Sequence, residues 1–87
     1  MQDLGRLKEA ELSYRKAIEI KPDYAEAHSN LGNILKDLGK LQEAELSYRK
    51  AIELKPDYAE AYSNLGSILR DNRKLHAAQK TDLSAIE

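Results

Sequence analysis

The side chains that could do chemistry in this sequence are two histidines, six serines, many carboxylates and a small set of asparagines. His28 and His76 stand far apart and share no metal-ligand spacing, which argues against a histidine–carboxylate metal centre. His28 reads as a helix-packing residue and His76 as surface. Serines 13, 29, 47, 63, 67 and 84 lack the context of a nucleophile elbow. Gly32 is a lone glycine with no following Gly-Lys-Ser/Thr, so it is no phosphate loop. The carboxylates fall on polar helix faces and read as solvated surface. Nothing supports general acid–base or nucleophilic catalysis, so the expectation is no enzyme, no cofactor and no metal. The asparagines differ. Asn30 and Asn64 each stand directly before a Leu-Gly pair. An Asn amide carries both donor and acceptor, which matches the N–H and C=O of a peptide without regard to its sequence. The competing reading is that both satisfy local polar groups.

The elements that must hold these residues are bounded by composition. The chain has 87 residues, enough for one small domain with a thin core. Fourteen Lys+Arg against 15 Asp+Glu give a formal charge of −1, which argues against a nucleic-acid partner. Cysteine is absent, so neither a disulfide framework nor a thiolate zinc site is available. The mean hydropathy of −0.69 and the lack of any long apolar run argue against a membrane span. The opening Met1-Gln2-Asp3-Leu4-Gly5-Arg6 has no apolar region of the secretory kind. A cytoplasmic location is the resulting expectation.

An internal repeat organises the chain. Shifted by 34 residues, positions 3–37 pair with 37–71, which is 35 pairs. Six differ: Arg6/Lys40, Lys8/Gln42, Ile20/Leu54, His28/Tyr62, Asn33/Ser67 and Lys36/Arg70; the other 29 are identical. Each unit must therefore be one supersecondary element that buries its apolar face on its neighbours. Within a unit, Ala27, Leu31, Ile34, Leu35 and Leu38 recur at spacings of three and four, as do Leu41, Ala44, Tyr48, Ala51 and Ile52. Both are helical stripes, and no period of two persists.

Pro22-Asp23 and Pro56-Asp57 precede the first helices. Asp23 and Asp57 are the expected N-caps, with Glu26 and Glu60 at capping-box spacing. Gly39 permits a left-handed turn between the two helices. Glu11–Arg15 and Glu45–Arg49 have i,i+4 spacing in the favourable orientation. Five helices are expected, near 5–20, 25–38, 41–54, 59–71 and 74–86. They make a single domain over 1–87: residues 3–24 are the second half of a repeat, 25–58 a full repeat, and 59–87 a repeat that degenerates after Leu75, with Asp82 standing where Tyr48 stood. The polar last helix (Gln79, Lys80, Thr81, Asp82, Ser84) suits a C-terminal cap.

Ala27-x3-Leu31-Gly32-x2-Leu35 and Ala44-x3-Tyr48-x2-Ala51-x4-Pro56 resemble the tetratricopeptide repeat (TPR) signature. So do Ala61-x3-Leu65-Gly66-x2-Leu69 and Ala10-x3-Tyr14-x2-Ala17-x4-Pro22. The signature's opening Trp and mid-helix Tyr are replaced by His28 or Tyr62 and by Leu35 or Leu69. The resemblance implies an all-α fold, a right-handed superhelix of about two and a half repeats. It implies small residues at Gly32, Ala44 and Ala51 where helices approach closely, and Tyr14 and Tyr48 filling the gaps between units.

The resemblance also implies a concave groove lined by the first helices. Ser29, Asn30, Asn33, Lys36 and Asp37 would lie on or near it, with Ser63, Asn64, Arg70 and Asp71 from the next unit and Glu26, Glu60 and Ser67 beside them. The Ser-Asn-Leu-Gly run is similar to the TPR repeats of the O-GlcNAc transferases, in which a ladder of asparagines holds an extended peptide. Lys36/Asp37 and Arg70/Asp71 alternate in sign, which argues against a dedicated receptor for a C-terminal carboxylate. The expected function is a non-catalytic protein-interaction module or scaffold with a peptide or protein partner. The alternatives are a fragment of a glycosyltransferase or sulfotransferase that recruits substrate, and a structural or designed array without a specific ligand. Leu7, Ala10, Tyr14, Ala17 and Ile18 of the first helix are expected to be partly exposed, which suggests a homo-oligomer through that helix.

Overall fold

A computed structural model describes the backbone of residues 4–86 and the side chains of residues 4–73. Four helices follow one another: α1 (Leu4–Ile20), α2 (Ala25–Asp37), α3 (Leu41–Leu54) and α4 (Ala59–Ile86), with no strand among the described residues. α1 packs on α2, α3 packs on both α2 and α4, and α2 also touches α4. The core joins these elements through Leu31 and Leu35 of α2, Ala44 and Tyr48 of α3, and Leu65 and Ile68 of α4. Tyr48 is fully buried there, and Tyr14 packs against the same cluster while half-buried. Tyr48 thus fills the seam between successive units, as the repeat implies. Leu7 is buried and not partly exposed as expected, because α1 lies on α2 along that edge.

The turn between α2 and α3 follows from one residue. Gly39 has φ +82. It lets the Gly39 N–H reach Lys36 O at 3.0 Å and the Lys40 N–H reach Leu35 O at 2.8 Å. These two bonds close a Schellman motif, and the chain then folds back as α3.

The corresponding turn does not form after the next first helix. Five helices were expected and four are found, because 59–71 and 74–86 are one continuous 28-residue helix. Arg73 stands where the preceding unit has Gly39. An L side chain in the left-handed conformation costs roughly 1–2 kcal/mol, so the helix continues instead of turning. The residues expected to make a polar terminal cap, Gln79 to Ser84, have side chains outside the described residues, as does His76.

Helix entry also differs from expectation. Tyr24, not Asp23, is the N-cap of α2, and it makes no side-chain capping bond. The Tyr24 N–H donates to Lys21 O at 3.1 Å, closing the Pro22-Asp23 turn. His28 then fixes that turn to the helix: its Nε2 lies 2.9 Å from Pro22 O and donates to it. This bond holds the turn against α2 but leaves the helix's free N–H groups without a side-chain cap.

Candidate functional site: the surface shared by α2 and α4

α2 and α4 are successive first helices, and two amides join them. Asn64 Nδ2 of α4 donates to Asn33 Oδ1 of α2 at 3.3 Å. The same Asn33 oxygen accepts the hydroxyl proton of Tyr48, which reaches across from α3. A carbonyl oxygen has two lone pairs, so Asn33 Oδ1 is fully used. Asn33 Nδ2 and Asn64 Oδ1 make no hydrogen bond among the described residues, and both side chains are half-exposed. One donor and one acceptor are thus left at the seam.

Tyr48 is the hinge of this arrangement. Burial pushes its phenol up to about 12, and the carboxylates of Asp37 and Glu60 add to the effect. The hydroxyl therefore stays protonated and remains a donor at any physiological pH. Its ring stands over Gly32: a Cβ built there would lie 2.7 Å from the ring. The helix accepts a glycine at this position so that Tyr48 can cross α2 and reach Asn33. The contact chemistry of Tyr48 is absent from the sequence reading, which gave it only a packing role. The usable signal was that it recurs four residues after Ala44 on a helix facing Asn33.

The other expected groove residues divide by exposure. Asn30 is half-buried, as are Lys36 and Asp71. Asp37, Arg70 and Ser63 are exposed. Ser29 is 1% exposed, and its Oγ is closed to solvent without a hydrogen-bond partner. Glu26 is exposed and pairs with Lys55 at 3.8 Å. The surface thus mixes the cations Lys36 and Arg70 with the acids Glu26, Asp37, Glu60 and Asp71. Asn72, which the sequence reading did not single out, is buried at the far end and donates from Nδ2 to Glu45 Oε1 at 3.1 Å, tying α4 to α3.

Among the described residues no group of three or more His, Cys, Asp or Glu could hold a metal ion. No described helix is long and apolar enough to cross a membrane.

Paired helices of one period, a glycine under a buried tyrosine and a shared surface of first helices are what a TPR array requires. No curated protein matches the chain. The family profile described as TPR repeat matches residues 3–39 and 32–72. Members of this family are generally non-catalytic modules that bind proteins or peptides. With most of its length matched in the register that the helices follow, this chain belongs to the TPR repeat family.

Proposed function

We propose that the chain is a non-catalytic interaction module that receives an extended peptide across the surface shared by α2 and α4. The observation that carries this reading is the Asn33–Asn64 bridge. It leaves one amide donor and one amide acceptor unused at the same seam, the two kinds of group that a peptide backbone complements. Asn30 supplies a further rung on α2. The mixed charges of Lys36, Asp37, Arg70 and Asp71 suit a ligand read through its backbone, not through a charged end. The similarity of the Ser-Asn-Leu-Gly run to the O-GlcNAc transferase repeats supports the same use of asparagine. Ser29 takes no part, being closed to solvent, whereas Ser63 is available.

A library of extended peptides screened by fluorescence anisotropy tests the reading. Wild type captures a subset, and the double variant Asn30→Ala, Asn64→Ala loses about 1–3 kcal/mol of binding. Asn33 is left intact because its removal would strand the buried Tyr48 hydroxyl. Equal capture by both proteins, or none by wild type, removes the basis of the proposal.

A further inference from the structure

Among the described residues, α1 and the first half of α4 leave complementary faces of one interface uncovered. Residues 3–24 differ from 37–58 at only three positions, and 25–37 differ from 59–71 at only three. Yet equivalent side chains are not equally covered. Ala44, Tyr48 and Ala51 of α3 are fully buried, while their counterparts Ala10, Tyr14 and Ala17 of α1 are half-buried. α3 packs between two first helices, α2 before it and α4 after it, whereas α1 has only the one that follows it, α2, among the described residues. Ser29 and Gly32 of α2 are buried, while Ser63 and Gly66 of α4 are exposed. α2 packs on two second helices, α1 before it and α3 after it, whereas α4 has only the one before it, α3, among the described residues. A Cβ at Gly32 would run into Tyr48 at 2.7 Å; a Cβ at Gly66 meets nothing within 4 Å among the described residues. Because α4 continues past Arg73 as one helix, no second helix folds back over this slot among the described residues.

We propose that the chain associates with itself head to tail, α1 of one copy lying along the first half of α4 of the next. The occupant follows from the sequence. α1 is nearly the same helix as α3, and 59–71 is nearly α2, so the contact repeats the α2–α3 packing already inside the molecule. Tyr14 of the second copy enters the Gly66 slot as Tyr48 lies over Gly32. Ser67 stands in place of Asn33 and offers the tyrosine hydroxyl an acceptor. The charges match as well. Between α1 and α3, Arg15 pairs with Glu43 at 3.5 Å and Lys40 with Glu11 at 3.4 Å. In the assembly these become Arg49 with Glu9 of the second copy, and Glu45 with its Arg6. Glu45, which already accepts from Arg49 and Asn72, gains a third cationic or polar neighbour. One docking event covers both incomplete ends. The surfaces differ, so the interface is heterologous and adds copies without closing at a dimer.

Multi-angle light scattering from micromolar to millimolar concentration tests this on the purified chain. Wild type shows a molar mass that rises past the dimer. Gly66→Ala stays folded by circular dichroism, since its Cβ meets open space, and associates about ten- to a hundredfold more weakly because that Cβ collides with the incoming tyrosine. Tyr14→Ala removes the other half. Mixed with Gly66→Ala, it gives a species that stops at one copy of each, since each variant retains one working end. If Tyr14→Ala does not fold, the Gly66→Ala comparison decides alone. A monomer at millimolar concentration overturns the proposal, as does unaltered association of Gly66→Ala. Loss on Tyr14→Ala alone points to an α1–α1 contact and overturns it too. So does a short distance between spin labels at positions 62 and 81, which would mean that the chain's own tail covers the slot.

Discussion

Gly32 and Gly66 occupy the same place in successive units, yet a methyl group at each meets different surroundings. At Gly32 it collides with Tyr48; at Gly66 it has room. Gly32→Ala should therefore lower stability by about 1–2 kcal/mol, the overpacking cost exceeding the roughly 1 kcal/mol gained in helix propensity. Gly66→Ala should raise it by about 1 kcal/mol, measured by thermal melts at low concentration. Equal shifts in both variants would show that the ring does not press on α2. Tyr48 gives a second residue-scale test. Its phenol titrates at about 12 when folded and 10.0 ordinarily. Between these values the unfolded chain has lost a proton that the folded chain retains, so stability falls as pH rises through this window and is unaffected below it. One late tyrosine in the phenolate absorbance, absent from Tyr48→Phe, checks the assignment. Tyr48→Ala should cost about 3–5 kcal/mol, which a domain this small could fail to survive.

Helices here are defined by where they stop. Lys21 and Lys55 precede prolines, which disfavour the α conformation before them, and both helices end there. Gly39 ends α2; Arg73 does not end α4. Restoring the glycine should restore the turn. Spin labels at positions 62 and 81 are 19 residues apart, about 28 Å along an unbroken helix. In Arg73→Gly the distance should contract toward about 10 Å, the spacing of packed helices. No contraction would place the cause of the continuous helix outside residue 73. The helices are also joined by charge. Glu11 of α1 accepts from Arg15 at 2.9 Å and pairs with Lys40 at 3.4 Å, beyond the C-terminal end of α2. The Arg15 hydrogen bond, with the Lys40 and Arg15 charges, holds its carboxyl below the ordinary 4.5 against the opposing effect of burial. Its contribution is present above that value and is lost as pH falls through the folded one. Glu11→Gln should flatten the acid limb of the stability profile, and an unchanged limb would assign it to other carboxylates.

Across the whole molecule, stability should be uneven. α2 packs on three other helices and α3 on two, whereas α1 packs on α2 and reaches α3 only through the Arg15–Glu43 ion pair. In a repeat array each interface adds a nearest-neighbour contribution, so end elements open first. Hydrogen exchange at low concentration should show the slowest amides in α2 and α3 and faster ones in α1; uniform protection would indicate a single cooperative unit. Raising the concentration should slow exchange in α1 and the first half of α4 if copies cover these faces.

Most of this architecture is set by local rules that act on any chain with these residues. The 34-residue period, the apolar stripes, the prolines and Gly39 specify helix pairs that pack side by side, because neighbouring residues alone determine turns and amphipathic faces. The same rules make the asparagines candidates for backbone recognition, but they do not say which amide atoms remain unused. That Asn33 is held by Tyr48 and Asn64, that Ser29 is closed to solvent and that Gly66 faces an open slot were decided by tertiary packing. Equivalent residues with the same local preferences acquire different neighbours according to their place in the array. The junction at Arg73 lies between the two: the residue is plain in the sequence, but whether the chain turns there depends on whether burying a returning helix outweighs the cost of a left-handed arginine, and that balance belongs to the folded molecule.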